Sequence, residues 1–464
     1  MRRLKVLPLP KILFMRFELT KEYLDALQAA VSRKDEPWMK EHVFELHYAD
    51  ISAILDELES EDAAYIYGLL DDDIQADLLM ELDEDFREYL ISTLSPKEIA
   101  DQIGQMESDD AADLINELPE HKIQEIIAQM TDNEAAEDLV DLLNYAPDTA
   151  GGMMQKEFIQ AQVDWPVNRC IVELRRQAEN VEKIFTIYVV DKQNKLIGFL
   201  SLKSLLFASP TTRIKDLYEH KNLISVKTSD DNEKVAKIME KYDLVSVPVV
   251  DLQEKLVGRI TIDDVVDVIM DEADKDFQMA SGISENIESS DSVWRISRAR
   301  MPWLLIGLLG GIFGAQVISN FEGGIAQVPA LAFFIPLITA MGGNVGVQSS
   351  AIVVQSLARG SDQFGSIIKK IAKEALVALV NGLLLSIIIY GIAHIFDSST
   401  LGLVVSLSLF IVILFAAVFG TLIPLLLDKY KIDPALATGP FITTLNDVLG
   451  LFIYLTIGVL MYGI

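Results

Sequence analysis

One carboxylate lies inside the last strongly apolar segment of the chain. The stretch DPALATGPFITTLNDVLG, residues 433–450, opens that segment, and it contains Asp447 beside Asn446. A carboxylate at membrane depth is costly unless it faces water, an ion or a partner, so Asp447 predicts a functional site rather than a structural cap or pair between helices. Gly439 and Pro440 weaken helical hydrogen bonding and are expected to free backbone carbonyls toward a cavity. Acid, amide and carbonyl oxygens suit a hard cation such as Mg²⁺ or Ca²⁺.

Charge divides the 464-residue chain into two parts. The formal net charge of −30 falls almost wholly before Ser292, and the sequence after Trp294 is almost wholly apolar. An acid-rich surface attracts cations and repels nucleic acid, so no nucleic-acid partner is expected. The single cysteine, Cys170, excludes an internal disulfide and a thiolate zinc cluster. Neither a phosphate-binding loop nor a nucleophile–base set is present in the sequence, and we predict that the protein is not an enzyme.

Five apolar segments are long enough to cross a membrane, which takes about 20 residues each. They are predicted at residues 301–318, 326–355, 375–396, 401–427 and 437–462. Lys and Arg residues of the connecting loops all fall on the side of the N-terminal domains, so that side is predicted to be cytoplasmic and the C-terminus outside. These residues are Arg295, Arg298, Arg300, Arg359, Lys369, Lys370, Lys373, Lys429 and Lys431.

The second predicted span has an unusual composition for a lipid-facing helix. It carries PLITAMGGNVGVQSS, and its small and amide residues indicate an interior surface that packs on other helices or lines water. In the first span, the pairs Gly307/Gly311 and Gly310/Gly314 predict close helix packing. Together with the break expected in the fifth span, the second span supplies the pore-lining candidates Pro336, Gly343, Asn344, Gln348, Gly439 and Pro440.

An apolar residue recurs every twelve positions from Leu58 to Leu142 in the acidic N-terminal part. A fixed period of one short helix and one turn predicts a stacked, superhelical array whose helices are too short to be stable alone. Residues 95–98 (SPKE) and 131–134 (TDNE) are each predicted to form a capping box at a helix start. A single acid on such a helix is ordinarily a solvated charge, but the collective excess repels itself, and divalent cations would relieve it.

An internal repeat offset by sixty residues follows the array. Residues 186–206 read TIYVVDKQNKLIGFLSLKSLL and residues 246–266 read SVPVVDLQEKLVGRITIDDVV. Each copy predicts a strand, a turn, a second strand after a glycine and a helix start, preceded by a helix at 168–180 or 232–242. An acid-dense helix at 263–279 then leads to the membrane part, either as a solvated linker or as a gate controlled by bound cations.

The repeat resembles a pair of CBS (cystathionine-β-synthase) domains, which implies an α/β pair with pseudo-twofold symmetry. Such pairs often bind adenine nucleotides such as ATP, and a Gly-x-x-Ser/Thr-x-x-Asp run holds the ribose hydroxyls. The second copy matches it with Gly258, Thr261 and Asp264, whereas the first has Ser204 in place of the acid. The resemblance therefore implies at most one nucleotide site, and the alternative is that Thr261 and Asp264 only cap the following helix.

The order of these segments, with YAPDTAGGMM at residues 145–154, resembles the MgtE magnesium transport family. The resemblance implies a homodimeric Mg²⁺-selective channel of the bacterial plasma (inner) membrane, with Asp447 of both protomers at a central pore and the acidic helix as a plug. It also implies that cytoplasmic acids sense Mg²⁺, although Lys275 stands where the family has an acid. With the neighbouring acids of the plug helix, the sensor candidates are Asp109, Asp113, Asp231, Asp243, Asp264, Asp267, Asp271, Glu272, Asp274 and Asp276.

The predicted fold is a multidomain membrane protein with an all-α superhelical N-domain, an α/β CBS pair, an acidic linker helix and a five-helix transmembrane domain. The predicted boundaries are 1–40 for a lead-in, 41–145 for the helical domain, 146–207 and 208–268 for the CBS domains, 269–292 for the connecting helix and link, and 293–464 for the membrane domain. The predicted function is Mg²⁺ uptake gated by internal Mg²⁺. The alternatives are a coupled carrier for Mg²⁺, Co²⁺, Zn²⁺ or Mn²⁺, and a membrane-anchored nucleotide sensor.

Overall fold

The structure, a computed structural model, describes residues 17–178, 181, 183–284, 287, 291–358, 367–396, 399–437 and 439–464. The chain divides into two compact units, Met1–Ile269 and Met270–Ile464. This division follows the change in composition, because an acidic amphipathic part and an apolar part bury different surfaces. Of the predicted lead-in, residues 1–16 lie outside the described residues, and the first helix of the described part begins at Lys21.

Short helices make up the first part of unit 1. Those in the described residues are α1 (Lys21–Arg33), α2 (Glu36–His42), α3 (Tyr48–Leu55), α4 (Ser60–Tyr67), α5 (Asp72–Glu81), α6 (Glu84–Thr93), α7 (Pro96–Ile103), α8 (Ser108–Asn116), α9 (Glu120–Ile127) and α10 (Asn133–Leu142). From α4 to α9 a helix begins every twelve residues, which confirms the predicted array. The periodic apolar residues, such as the buried Leu70 and Leu82, lie two positions before each helix, so they bury the turns rather than the helix faces.

Helix caps fix where these helices begin. At α7 the Ser95 hydroxyl accepts a hydrogen bond from the backbone N–H of Glu98, and the Glu98 carboxylate accepts one from Ser95 N at 2.8 Å, so the predicted capping box is confirmed. The second predicted box is wrong by one residue. Asp132, not Thr131, is the N-cap of α10, and its Oδ1 accepts from Glu134 N at 2.8 Å. A carboxylate accepts a stronger hydrogen bond than a hydroxyl, which favours the aspartate.

Two three-stranded sheets follow and confirm the predicted repeat. Each has a parallel pair followed by an antiparallel pair, in the orders β1-β2-β3 and β4-β5-β6. The elements are β1 (Ile159–Gln162), α11 (Val167–Gln177), β2 (Ile187–Val190), β3 (Leu196–Leu200), α12 (Leu202–Phe207), β4 (Val226–Lys227), α13 (Asn232–Tyr242), β5 (Ser246–Val250) and β6 (Leu256–Thr261). The helix predicted over 168–180 ends at Gln177, and residue 180 lies outside the described residues.

The acidic helix and the membrane helices complete the chain. They are α14 (Ile262–Ala280), α15 (Val293–Asn320), α16 (Glu322–Gln327), α17 (Ala330–Phe333), α18 (Ile335–Ala358), α19 (Ile367–Phe396), α20 (Ser399–Lys429) and α21 (Pro440–Tyr462). In the described residues, five helical segments are long and apolar enough to cross a membrane, as predicted. The central one is α20, since it has buried residues along most of its length, from Leu401 to Leu425.

The start of the second predicted span is wrong. The chain does not form one helix over 326–355, because two short helices precede α18, which begins at Ile335. Val328 has φ −129° and ψ 78°, outside the helical region, as expected for a residue before a proline, here Pro329. The second proline, Pro336, lies in the first turn of α18, where a missing backbone N–H costs little.

Candidate functional site

Asp447 lines a groove between α15, α18 and α21. Its side chain lies about two turns into α21 and is half-buried. The groove has a volume of about 360 Å³. Six waters occupy roughly 180 Å³ in the liquid, so the space is sufficient for a cation that keeps its hydration shell. The groove is lined by Gly307, Gly310, Gly311, Gly314, Ala315, Ile318, Ile335, Thr339, Thr444, Asp447, Val448 and Leu451.

Glycines bring the neighbouring helices close to Asp447. A Cβ on Gly343 of α18 would lie 3.4 Å from Asp447 Oδ1, and a Cβ on Gly310 of α15 would overlap the Thr444 side chain. By contrast, Gly307, Gly311 and Gly314 face open space. The close packing predicted for the glycine pairs of the first span therefore holds for Gly310 alone, and the other three glycines keep the groove open beside the carboxylate.

Asn446, the other predicted pore ligand, is absent from this groove. It is 1% exposed, and a Cβ on Gly346 of α18 would overlap its amide nitrogen. Neither Oδ1 nor Nδ2 of Asn446 has a hydrogen-bond partner among the described residues. Consecutive residues of an α-helix lie about 100° apart, so the two neighbours meet different surroundings. The role of Asn446 as an ion ligand stays a prediction.

The helix break predicted at Gly439 and Pro440 is wrong. Pro440 is the first residue of α21 and Gly439 is its N-cap, so no hydrogen bond inside a helix is lost. The Gly439 carbonyl also accepts hydrogen bonds from Thr443 N at 3.1 Å and Thr443 Oγ1 at 3.0 Å. Gly439 is required for another reason. Its φ is +58°, and a Cβ there would overlap the Ala280 carbonyl oxygen, while a Cβ on Gly282 would lie 2.6 Å from Pro440.

Of the four remaining pore-lining candidates, all in α18, three lie on its exposed face. Pro336, Asn344 and Gln348 are exposed at spacings of four or eight residues, whereas Gly343 is buried beside Asp447. Residues four apart on a helix share a face. Amides on the outer face of a membrane helix are unfavourable in contact with lipid, so this face requires water or a polar protein surface.

The structure brings three sensor candidates together in unit 1. Asp109 and Asp113 of α8 lie near Asp264 of α14. Two acids that the prediction missed, Glu107 and Asp110, belong to the same cluster. Burial, together with the charge of Asp264, raises the pKa of Asp109 well above its usual value and that of Asp110 to about 7. Asp113 lies at the exposed edge of the cluster.

Asp264 also takes part in a local motif at the start of α14. Burial raises the pKa of Asp264 to about 6, although its Oδ2 accepts hydrogen bonds from N and Oγ1 of Thr261, both at 3.0 Å. The hydrogen bond from the Thr261 backbone N–H to the Asp264 carboxylate is one of the two hydrogen bonds of a capping box. It supports the alternative in which Thr261 and Asp264 only cap α14. A Cβ on Gly258 would lie 2.6 Å from the Met154 sulfur, so this glycine accommodates a protein side chain.

Asp231 and Asp243 occupy opposite ends of α13 and are not brought together. The helix has 11 residues, so its ends are roughly 16 Å apart. Asp231 is the N-cap and accepts from Glu233 N at 3.0 Å, and Asp243 is the C-cap with φ 51°. Both side chains are exposed.

The other sensor candidates follow one another along α14. Lys275, which is not a candidate itself, stands among these acids as a cation. Its Nζ lies 2.9 Å from Glu272 Oε1, and this hydrogen bond, with the charges of Asp433 and Asp276, raises the pKa of Lys275. In the part of the chain that the structure describes, no three acids, histidines or cysteines are positioned to hold a metal ion. The remaining candidates on this helix are Asp267, Asp271 and Asp274.

Three protein families match the chain in order. The MgtE intracellular N domain matches residues 46–148, the CBS domain matches 150–210 and 214–271, and MgtE, a divalent cation transporter family, matches 335–457. The magnesium transporter MgtE of Bacillus subtilis is 36% identical over 314 residues, which cover 68% of this chain and 69% of the relative. The chain belongs to the MgtE family. The MgtE of Thermus thermophilus is likewise 36% identical, over 69% of this chain and 71% of the relative.

A solved structure extends the MgtE comparison to the fold. It is the cytosolic domain of the Mg²⁺ channel MgtE in complex with ATP, with a TM-score of 0.50 and 32% identity, covering 53% of this chain and 99% of that one. The predicted MgtE architecture is therefore confirmed: a helical N-domain, a CBS pair and five candidate membrane helices. The protein is a multi-pass membrane protein of a divalent cation transporter family.

Proposed function

We propose that the protein is a Mg²⁺-selective channel for magnesium uptake across a bacterial plasma membrane. The observation that carries this proposal is Asp447, a carboxylate in a membrane helix beside a groove large enough for a hydrated ion. Because Mg²⁺ gives up its waters reluctantly, a pore that holds the ion with waters attached needs few protein oxygens. The relatives named magnesium transporter MgtE support Mg²⁺ as the transported ion.

Purified protein in liposomes tests this function directly. Divalent flux is expected, and its absence would favour the alternative of a membrane-anchored nucleotide sensor. Single-channel recording separates a channel from a coupled carrier, because only a channel passes many ions in each opening. Competition among Mg²⁺, Co²⁺, Zn²⁺ and Mn²⁺ in the same assay tests the selectivity.

The active form in this proposal is a homodimer with its N-terminal unit in the cytoplasm. The exposed face of α18 that carries Asn344 and Gln348 would meet water and the second protomer, so that both Asp447 side chains approach one axis. The Lys and Arg residues that flank the membrane helices support this orientation.

Internal Mg²⁺ closes the channel in this proposal. Crowded acids such as Asp109, Asp110 and Asp264 repel one another when ionised, and a Mg²⁺ ion held by two of them together with its own waters would stabilise a compact arrangement. When internal Mg²⁺ falls, the ions leave and the closed state loses its advantage, because the ligand binds that state preferentially.

Mg²⁺ at millimolar order is expected to protect the soluble part, residues 1–275, from protease and to make it more compact. This part is a reasonable target, since a relative's cytosolic domain was crystallised without its membrane part. Ligand binding to the folded form alone stabilises that form. The measurement is limited proteolysis across a Mg²⁺ series, with the Asp109→Asn/Asp264→Asn variant as control. Identical digestion of the wild type with and without Mg²⁺ would remove the sensing function.

Without divalent ions, Asp110→Asn is expected to stabilise the soluble part more at neutral pH than at acidic pH. The pKa of Asp110 rises from 3.8 to about 7 on folding, so the folded form binds this proton more tightly. Its contribution to the free energy of unfolding is therefore complete below pH 4 and is lost as the pH rises toward 7. Thermal unfolding in EDTA at pH 5 and pH 7.5 measures this, and an equal difference in Tm at both values would contradict it.

An adenine nucleotide such as ATP is proposed as a regulatory ligand of the CBS pair, with one site per chain. The ATP complex of the related cytosolic domain supports this. Asp264→Ala is expected to abolish binding, whereas Asp271→Ala, which removes an exposed acid farther along α14, is the matched control. Calorimetry on the soluble part measures binding to both variants. Two equal sites per chain would contradict the inference, drawn from Ser204 in place of an acid, that the first repeat has no site.

A further inference from the structure

Gln155 lies buried between the second α/β repeat and the acidic cluster. It is 1% exposed, and its side-chain oxygen accepts a hydrogen bond from Nε of Arg259 at 2.6 Å. Its amide nitrogen donates to Asp109 Oδ2 at 3.1 Å and to Glu107 Oε2 at 3.2 Å. One side chain thus connects a cation of β6 to two carboxylates of the helical array.

Arg259 determines which way this amide points. A guanidinium group only donates hydrogen bonds, so the partner atom on Gln155 must be the oxygen. The two amide hydrogens then face the opposite direction, where only acceptors can satisfy them. The backbones of Gln155 and Arg259 are also paired by two hydrogen bonds of 2.8 and 3.0 Å, so neither side chain can move away without disrupting this pairing.

Arg259 is itself held within the repeat. It is 3% exposed, its Nη1 donates to the Lys183 carbonyl at 3.0 Å, and its guanidinium lies 5.8 Å from the Phe185 ring centre. These contacts tie its position to the segment before β2. A displacement of that segment would therefore reach the carboxylates through Arg259 and Gln155.

We propose that Gln155 and Arg259 form a buried relay that positions the Glu107 and Asp109 carboxylates and thereby sets the Mg²⁺ affinity of the acidic cluster. This inference rests on the proposed sensing function. In the relay, Gln155 is a positioning residue that touches the acids, and Arg259 acts on them only through Gln155. Carboxylates held in one orientation bind a cation without first losing side-chain freedom, so the relay raises affinity.

The relay is tested on the full-length protein in detergent, with the Mg²⁺ midpoint of protease protection as the readout. Gln155→Leu and Arg259→Lys are each expected to raise this midpoint about tenfold, since a hydrogen bond to a charged group is typically worth at least that factor. A lysine keeps the charge of Arg259 but not its planar donors. The double variant is expected to show no further shift, because the two residues act in series. Ser246→Ala, which removes a buried 2.9 Å hydrogen bond to Tyr188 in the same α/β pair, should leave the midpoint unchanged.

A second variant tests the orientation of the amide. Gln155→Glu keeps an acceptor for Arg259 but directs an oxygen toward the acids, so Mg²⁺ should raise its Tm by more than it raises that of the wild type. An equal or smaller increase overturns the relay. An unchanged midpoint in Arg259→Lys, or additive shifts in the double variant, also overturns the relay. In each of these cases the sensing function still holds if Mg²⁺ protects the wild type from protease. A wild type without Mg²⁺ protection overturns both.

Discussion

Asp447→Asn is expected to reduce Mg²⁺ flux to the level of empty liposomes while the protein still folds and keeps the oligomeric state of the wild type. The substitution keeps the shape of the side chain and removes only its charge. Among the residues that line the groove, Asp447 is the one carboxylate. Without it, a hydrated divalent ion would enter an apolar surrounding with no charge to offset the loss of bulk water. Flux into liposomes and size-exclusion chromatography are the two measurements.

The matched control for this substitution is Asp428→Asn. Asp428 is an exposed acid near the end of α20, so the same chemical change there should leave flux unchanged. Asp447→Glu adds a finer test, because it retains the charge and moves it by one methylene, and partial flux is expected. Wild-type flux in Asp447→Asn would place the ion path elsewhere.

Deletion of residues 1–270 should leave a channel that conducts but no longer closes when internal Mg²⁺ rises. The deletion ends next to the boundary between the two compact units, at Met270, so the membrane unit keeps its own packing. The ions that would close the channel bind acids that the deletion removes, including Asp109, Asp264 and Asp267. Patch recordings with Mg²⁺ stepped on the cytoplasmic face measure the effect.

Single substitutions such as Asp267→Ala should shift the closing concentration without abolishing closure. To move an equilibrium from mostly open to mostly closed takes roughly 5 kcal/mol of differential binding, and several sites of about 1 kcal/mol each supply it jointly. The truncated protein with Asp447→Asn is the control that the current passes through the proposed pore. Closure of the truncated channel over the full-length Mg²⁺ range would locate the gate in the membrane unit.

Periodic and local features of this protein were predictable from the sequence. Both the twelve-residue spacing and the Ser95–Glu98 box depend on interactions between residues close in sequence. The spacing buries one apolar residue in each turn, and the box supplies hydrogen-bond acceptors to backbone N–H groups at one helix start. The box at Thr131 was misplaced because Asp132 competes for the same N-cap, and a one-residue shift changes no pattern.

The composition of the acidic cluster could not be predicted in the same way. Gln155 lies 46 residues from Asp109 and 104 residues from Arg259, so these contacts depend on how the array packs on the α/β pair. Nothing in the sequence distinguishes Asp110 from the many other acids of the N-terminal part, so its place in the cluster could not be predicted. The differing surroundings of Asn446 and Asp447, in contrast, follow from helix geometry and could have been anticipated from their adjacency.

The contact between the end of α14 and the start of α21 has a mechanical consequence. Gly439 and Gly282 leave no side chain between Pro440 and the backbone of residues 280–282, so the chain segments touch directly. A contact made through long side chains can absorb a displacement by changing rotamers, whereas close-packed backbones cannot. A shift of α14 along its axis would thus displace the start of α21, the helix that carries Asp447, by nearly the same distance.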